Sequence, residues 1–375
     1  MASVSPLQLD EAHFLKHYWQ QRPLLIPNAL PGFVSPLSPE ELAGLACEPE
    51  SESRIVGFRE GVWSLQTGPF EDRDFQRDDL WTLLVQGVDA WLPEVAALRK
   101  AVSFLPRWRF DDVMVSYAVD GGSVGPHFDR YDVFLLQGSG ERLWRLGDFC
   151  DDQTPRIEHE QLHLLESFAT VEEYLLKPGD VLYVPPGMAH WGIAVGDCMT
   201  YSLGFRAPTL SQMLARFADE VLNGIDPNLL LEDRDSLLVS GRQGELTRAQ
   251  LDNAREAVLN AMRVLDSGSW LAELITEPSH EEEFSEALLL PGPLILVPQT
   301  QVVWIKRSSS GSAKPADDAC VEVFAAGESI CVPQRLIGLL ETLCAGDAIE
   351  PDSEDEELAL LVNFLATMGV LINEE

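Results

Sequence analysis

Short apolar runs separated by turn-forming residues dominate the chain between residues 107 and 206. The runs are rich in Val, Leu, Tyr, Phe and Trp, and Gly, Pro or Asp residues bound them. This pattern predicts β-strands, as in RWRFDDVMVSYAV, YDVFLLQGSGERLWRLGD and CMTYSLGFRA. Many short strands at regular spacing favour a sandwich or barrel over a parallel α/β sheet.

The first hundred residues mix helical and strand patterns. DEAHFLKHYWQQ has apolar residues at helical spacing and precedes the strand-like RPLLIPNAL. SPEELAGLAC predicts a short helix, with Ser38 as the N-cap and Glu41 at the capping-box position. SRIVGF and VWSLQTG predict a hairpin.

The pattern changes after residue 206. SQMLARFADEVLN and TRAQLDNAREAVLNAMRVLD predict amphipathic helices. An apolar stripe on the second helix can pack on the β domain or on a second copy of the chain; it consists of Leu251, Ala254, Val258, Ala261 and Leu265. From about residue 288, strand patterns followed by two helices predict a small winged-helix-like α+β unit. We therefore expect a mainly β domain at 1–207, a helical segment at 208–287 and a C-terminal domain at 288–375.

Charge narrows the possible partners. The chain has 26 Lys and Arg against 61 Asp and Glu, a net charge of −35. Such a surface repels nucleic-acid phosphates and attracts basic proteins. No Lys or Arg follows Arg335, so we expect no DNA-reading helix near the C-terminus.

The location is expected to be cytoplasmic. Six scattered cysteines without a CxxC motif are typical of reduced thiols. The N-terminal residues lack the charged-then-apolar pattern of a signal peptide, and the longest apolar run, LLLPGPLILVP, is broken by Pro and Gly. We therefore expect no membrane span.

Two spaced motifs carry candidate chemistry. In GPHFDRYDVF, His127 and Asp129 are two residues apart, so an extended chain would project both from one face. Alone, this pair is more often a hydrogen-bonded polar pair than a metal site. GDVLYVPPGMAH adds His190 after a PPG turn, at the entry of the next strand. Together the motifs predict a double-stranded β-helix holding a two-histidine, one-carboxylate metal site with open positions, typical of non-haem Fe(II) oxygenases that bind a keto acid and dioxygen.

A keto-acid cosubstrate also needs a cation for its distal carboxylate. Arg142 and Arg206 are both candidates, since the guanidinium group offers a planar fork of donors. Ser116 on the preceding strand is a candidate hydroxyl donor. His159 and His163 have helical spacing but no third ligand nearby, which favours a solvated polar face.

Four stretches resemble the bacterial JmjC-type cupins known as ribosomal oxygenases: FLKHYWQQRPLLI, GPHFDRYDVFLLQGSGERLWRLGD, LKPGDVLYVPPGMAHWG and YSLGFRAP. The resemblance covers most of residues 10 to 215. It implies a double-stranded β-helix (jelly-roll) core, then a helical dimerisation segment and a winged-helix-like domain, and hence a homodimer.

The resemblance also implies an activity. Members of this family use Fe(II), 2-oxoglutarate and dioxygen to hydroxylate proteins, and the implied reaction is 3-hydroxylation of an arginine in a large-subunit ribosomal protein. The family pattern places the cosubstrate carboxylate on Arg142 rather than Arg206, with Ser116 assisting. The implied iron ligands are His127, Asp129 and His190.

The substrate side is less defined. Tyr131 and Asp120 are candidates for holding the substrate arginine, since a carboxylate pairs with a guanidinium. A JmjC-type lysyl demethylase or another protein oxygenase is the alternative within the same chemistry. A non-catalytic cupin scaffold is the alternative outside it, and the intact ligand set argues against that scaffold.

Overall fold

The computed structural model describes residues 5–238, 242–263, 268–278, 289–306, 320–351 and 355–374. The helices are α1 Glu11–His17, α2 Pro39–Leu45, α3 Pro93–Ala96, α4 Leu210–Gly224, α5 Arg248–Arg263, α6 Ser269–Thr276, α7 Ile337–Ala345 and α8 Glu356–Thr367. The strands are β1 Leu24–Ile26, β2 Ser53–Arg59, β3 Val62–Thr67, β4 Leu80–Val85, β5 Phe110–Ala118, β6 Asp132–Phe149, β7 Glu172–Leu176, β8 Val181–Val184, β9 Met188–Phe205, β10 Leu294–Leu296, β11 Val302–Lys306, β12 Cys320–Ala325, β13 Glu328–Pro333 and β14 Leu371–Asn373.

The chain forms two compact units. The first contains the residues up to Ala207 together with 295–299 and 341–349. The second contains 208–294, 300–340 and 350–375. A further division into a helical segment and a separate C-terminal domain stays a prediction.

A nine-stranded antiparallel sheet is the framework of the first unit. Its strand order is β1-β8-β6-β9-β5-β4-β2-β3, and β7 also pairs with β6. The 18-residue strands β6 and β9 pair along much of their lengths, with register shifts between Gln137 and Glu141. Such irregularities bend strands sharply. The antiparallel pairing agrees with the short-strand pattern of the sequence.

Alternating residues of the central strands pack on opposite faces. On β6, Phe134 and Leu136 join a cluster that includes Phe14 of α1 and Leu42 of α2. The N-terminal helices therefore cover this face. Residues of the opposite parity form a second cluster, made of Val133, Leu135, Trp144, Leu146, Leu176, Leu182, Val184 and Met188. Arg142 is two residues before Trp144 and lies on the same face of β6.

Two local sequence predictions are confirmed in the N-terminal part. The Ser38 hydroxyl accepts from the Glu41 N–H at 3.2 Å, and the Glu41 carboxylate accepts from the Ser38 N–H at 2.8 Å. This is the expected capping box of α2. Strands β2 and β3 form the expected antiparallel hairpin.

In the second unit, α4 and α6 are joined by side-chain contacts. Arg216 donates to Glu273 at 2.8 Å, and the rings of Phe217 and Trp270 are 5.3 Å apart. Strands β11, β12 and β13 form an antiparallel three-stranded sheet. Within the described ranges, no helix has the length and apolar character needed to cross a bilayer.

The apolar stripe of α5 is not covered within the described part of the chain. Leu251 is 50% exposed and Val258 is 57% exposed, and the helix has no buried residue. Packing of the stripe inside the chain is therefore wrong for these two residues. Leu265, the last residue of the stripe, lies outside the described residues.

Candidate metal and cosubstrate site

Three side chains with metal-binding atoms converge beside β9. One ligand atom from each of His127, Asp129 and His190 lies within 4.8 Å of the others. The Asp129 Oδ2 atom is 3.5 Å from His190 Nε2 and 3.9 Å from His127 Nε2. His190 is buried, while His127 and Asp129 are half-buried. The two sequence motifs therefore meet in space.

The H-x-D segment is not a regular strand, contrary to the extended geometry assumed from the sequence. His127 forms a single bridge with His190, through backbone hydrogen bonds of 3.1 and 2.8 Å, and β6 begins only at Asp132. A regular ladder cannot extend upstream because Pro126 has no N–H. The side chains still meet, because the bridge sets His127 directly opposite His190.

The PPG turn fixes the other side of the site. The Gly187 N–H donates to the Asp129 carbonyl at 2.7 Å, and Gly187 has φ +81°. A side chain is strained in that conformation, so glycine suits the position. His190 is the third residue of β9, as expected for the strand entry.

Each imidazole is oriented by a backbone carbonyl. His127 Nδ1 is 2.9 Å from the Gly125 oxygen, and His190 Nδ1 is 3.0 Å from the Met188 oxygen. A carbonyl only accepts, so each Nδ1 carries the proton and each Nε2 keeps its lone pair for a metal. Burial, reinforced by the charge of His127, lowers the pKa of His190 to about 4. His190 is therefore neutral at pH 7, the form that binds metals.

Arg142 is a buried cation with donors to spare. It is 5% exposed, and its Nη1 donates to the Ser116 hydroxyl at 3.4 Å. Its Nε and Nη2 have no hydrogen-bond partner within the described residues. A buried guanidinium with unpaired donors is unfavourable unless an anion binds it. The structure thus brings Arg142 and Ser116 together, as the sequence predicted.

Arg206 has a different environment. Its side chain is 63% exposed, and its Nε pairs with Asp111 at 2.5 Å. Its guanidinium also lies 5.4 Å from the ring centroid of Tyr131. Burial raises the pKa of Tyr131. Arg206 is therefore already paired with a carboxylate, in contrast to Arg142.

Asp120 lies in other surroundings than Tyr131. It follows β5, and its carboxylate accepts from the Gly196 N–H at 2.7 Å. Its own N–H donates to Asp197 at 3.2 Å. Asp120 is exposed, so it is open to a partner, whereas Tyr131 lies beside Arg206.

The run after the ligands has a structural role that sequence reasoning missed. Asp132 is fully buried and accepts from Tyr183 at 2.6 Å and from Gln20 and Arg109 at 3.1 Å each. Burial raises the pKa of its carboxyl group. Its position at the head of an apolar run, YDVFLLQ, was the only available signal. Asp132 thus fixes the start of β6, three residues after the ligand Asp129.

The other histidine pair is not a metal site within the described residues, where only the triad above groups suitable atoms. His159 Nδ1 accepts from the N–H groups of Gln161 and Leu162, and no helix spans this segment. The helical spacing of His159 and His163 was therefore misleading.

Comparison with known proteins agrees with this geometry. The JmjC domain family matches residues 97–213. The chain is 35% identical, over 98% of its length and 97% of the relative's, to "Ribosomal protein uL16 3-hydroxylase" of Escherichia coli K12. It is 37% identical over 267 residues, 68% of its length and 65% of the relative's, to "Probable ribosomal oxygenase" of Haemophilus influenzae.

A solved structure is similar over the whole chain. The ribosomal oxygenase YcfD from Escherichia coli, in complex with cobalt and 2-oxoglutarate, has a TM-score of 0.76 and 32% identity and covers 98% of each chain. The shared fold is the JmjC cupin fold. Because sequence and fold agree from end to end, the chain belongs to the JmjC-domain family of ribosomal oxygenases.

Proposed function

We propose that this chain is an Fe(II)- and 2-oxoglutarate-dependent protein hydroxylase that acts on an arginine of ribosomal protein uL16. The observation that carries the proposal is the pairing of a two-histidine, one-carboxylate triad with a buried guanidinium that lacks partners. The relative's activity on uL16 and the end-to-end similarity support the same reaction here.

The triad fits a divalent iron. His127, Asp129 and His190 offer two nitrogen atoms and one oxygen atom, which leaves positions open on a six-coordinate metal. That donor set is typical of non-haem Fe(II) oxygenases, whereas zinc is more often held in a closed tetrahedral set. Cobalt in the related structure fits the same kind of donors.

The cosubstrate fits Arg142 and Ser116. The Nε and Nη2 donors of Arg142 would pair with a carboxylate, and the Ser116 hydroxyl is already beside the guanidinium. A charged hydrogen bond in a buried site is strong because the surroundings have a low dielectric constant. Arg206 is exposed and paired with Asp111, which favours Arg142 as the clamp.

Bound Fe(II) and 2-oxoglutarate supply oxidation of a C–H bond by dioxygen, with succinate and carbon dioxide as the products of the cosubstrate. The protein's own contribution is orientation and exclusion of water. The carbonyls of Gly125 and Met188 hold the two imidazoles with Nε2 unprotonated. The buried face around Trp144 and Leu146 keeps solvent away from the oxidising site.

The substrate side is acidic. A net charge of −35 attracts a basic ribosomal protein, and the exposed carboxylate of Asp120 suits a guanidinium. Tyr131 adds an aromatic surface near the triad, three residues before the buried Phe134. We assign Asp120 and Tyr131 to the substrate arginine. A ribosomal substrate also implies a cytoplasmic enzyme, and that location stays a prediction.

Mass spectrometry of the large-subunit ribosomal proteins tests the activity. In cells with the gene, uL16 should carry one added oxygen atom on one arginine. Cells without the gene, or with only the His127→Ala variant, should lack it. An unmodified uL16 in both strains, with purified Fe(II)-loaded protein inert toward it, contradicts the proposal.

The alternatives give different products. A lysyl demethylase would use the same triad but release formaldehyde from a methylated lysine, so formaldehyde without oxygen added to uL16 would favour it. A non-catalytic scaffold would convert no 2-oxoglutarate with any ribosomal substrate. Each alternative is therefore separable from hydroxylation in one assay.

We also propose that the chain works as a homodimer through its helical segment. The exposed stripe residues Leu251 and Val258 leave an apolar strip on α5 that water disfavours. Other exposed leucines of the same segment extend it, among them Leu210, Leu214, Leu222, Leu229, Leu230, Leu237 and Leu246. A second copy of the chain would cover the same residues on both partners.

Sedimentation measures the dimer directly. The wild-type protein should sediment as a dimer, and a Leu251→Glu, Val258→Glu double variant should sediment as a monomer, because two charges in an apolar interface are unfavourable. Leu360→Glu is the matched control, since Leu360 on α8 is 52% exposed and lies outside the segment. A monomeric wild type, or a double variant that stays dimeric, contradicts this interface.

A further inference from the structure

Trp144 has a buried indole N–H without a hydrogen-bond partner. The residue is 4% exposed, and its Nε1 is unpaired within the described part of the chain. Tryptophan usually finds a partner for this group when it is buried. The unpaired donor is therefore unusual, and it lies two residues from the unpaired donors of Arg142 on the same face of β6.

The ring lies between the proposed clamp and the metal triad. The Arg142 guanidinium carbon is 5.8 Å from the ring centroid of Trp144, and the ring centroids of Trp144 and His190 are 5.8 Å apart. In the β6–β9 register, Arg142 faces Ala194, Trp144 faces Gly192, and Leu146 faces His190. A ligand that joins the triad to Arg142 must pass along Trp144.

Gly192 holds the ring in this place. A Cβ atom on Gly192 would come within 2.8 Å of ring atoms of Trp144. The indole therefore lies directly over the glycine backbone, and the absence of a side chain there permits it. The ring's position is set by the fold and does not depend on a ligand.

We propose that the Trp144 indole N–H is a further donor to the distal carboxylate of the 2-oxo acid, beside Arg142. This inference rests on the proposed function, because it needs that cosubstrate. A carboxylate has about four lone-pair sites, enough for the free donors of Arg142, the Ser116 hydroxyl and one indole. All three donor atoms without partners on this strand, two from Arg142 and one from Trp144, would then be satisfied by one anion.

The competing explanation is that the indole only fills the apolar cluster around Leu146 and Leu176. A purely packing role would leave the N–H unused whether or not the ligand is present. The two explanations therefore differ in what happens to the N–H proton on ligand binding.

Removing the N–H without changing the ring shape separates the two roles. The indole of Trp144 is replaced by benzothiophene through incorporation of benzothienylalanine, and 2-oxoglutarate binding to the oxygen-free, Zn(II)-loaded protein is measured by calorimetry. We expect the dissociation constant to rise at least about tenfold, because a hydrogen bond to a charged group is lost. Trp191 is the matched control: it follows His190, but its indole N–H already donates to Ser123 at 2.8 Å. The same replacement there should leave the affinity for 2-oxoglutarate unchanged.

A second measurement observes the proton itself. In the ¹⁵N-labelled, Zn(II)-loaded protein, the indole N–H signal of Trp144, assigned with Trp144→Phe, should shift when 2-oxoglutarate is added. It should not shift with 2-oxopentanoate, which has a methyl group in place of the distal carboxylate.

The outcomes are distinct. An affinity within twofold of wild type, or a signal that moves equally with both acids, overturns the role of Trp144 and leaves the proposed function intact. A wild-type protein that binds no 2-oxoglutarate at all overturns the proposed function itself.

Discussion

The Asp129→Ala variant is expected to fold normally and to lose 2-oxoglutarate turnover by about 100-fold or more. Changing a residue that only supports a metal ligand typically reduces metal affinity or activity 10- to 100-fold, and Asp129 is a proposed ligand itself. Without its carboxylate, only the Nε2 atoms of His127 and His190 remain for the metal. Succinate formation and the iron retained after dialysis measure the two parts of this loss.

The matched control for a ligand substitution is an exposed histidine. His163→Ala removes an imidazole on the segment between β6 and β7, away from the triad. It should keep the iron content and turnover of the wild type, while His190→Ala should behave like Asp129→Ala. Wild-type iron content and turnover in Asp129→Ala would show that the triad is not the metal site.

Local patterns were enough to predict the ligand set and much of the strand arrangement. The H-x-D spacing and the PPG turn indicated that His127, Asp129 and His190 would meet, and the structure brings them within 4.8 Å. They did so although the H-x-D segment is irregular, because a single bridge to β9 was sufficient. The prediction depended on spacing and turn chemistry, which are local properties.

Features set by distant contacts were not available from the sequence. Residues 295–299 and 341–349 belong to the first unit, where Arg107 donates to the Pro298 carbonyl at 3.0 Å and Arg99 to the Cys344 carbonyl at 2.8 Å. No local pattern indicates such pairs, since they join residues about 190 and 245 positions apart. The unpaired N–H of Trp144 was hidden for the same reason: only the packing around it shows that a donor is unused.

The choice between the two arginines likewise needed the structure. Both lie after strand patterns, and their residue type is identical. Burial and pairing distinguish them: Arg142 is buried with two unpaired donor atoms, while Arg206 is exposed and paired with Asp111. This difference leads to the second large effect.

Arg142→Met is expected to weaken 2-oxoglutarate binding by roughly 30-fold to several thousandfold. Loss of one partner from a buried, hydrogen-bonded charge pair costs about 2–5 kcal/mol, and each 1.4 kcal/mol is about tenfold in affinity. Methionine keeps the apolar length of the side chain without its donors. Arg206→Met should leave the affinity within about twofold, because Arg206 pairs with Asp111. Calorimetry on the oxygen-free, metal-loaded proteins gives both constants.

The same substitution should stabilise the protein when no cosubstrate is present. The wild-type free protein buries a guanidinium whose Nε and Nη2 are unpaired, and each unsatisfied buried group costs about 1–3 kcal/mol. Only a long 3.4 Å bond to Ser116 is lost, and the Ser116 hydroxyl also lies 3.5 Å from the Thr200 carbonyl. The free energy of unfolding of Arg142→Met should therefore rise by about 1–3 kcal/mol without 2-oxoglutarate, and the gain on adding it should disappear.

Thermal and denaturant unfolding, with and without 2-oxoglutarate, measure this reversal. A guanidinium kept for structure would give the opposite result, a less stable variant under both conditions. Arg206→Met separates the two cases further: it loses an exposed ion pair worth at most about 1 kcal/mol, so its stability should fall slightly or stay constant. If Arg206→Met loses cosubstrate affinity while Arg142→Met keeps it, Arg206 is the clamp and the assignment of Arg142 is wrong. The predicted combination of weaker binding and a more stable free protein fits only a buried cation that awaits an anion.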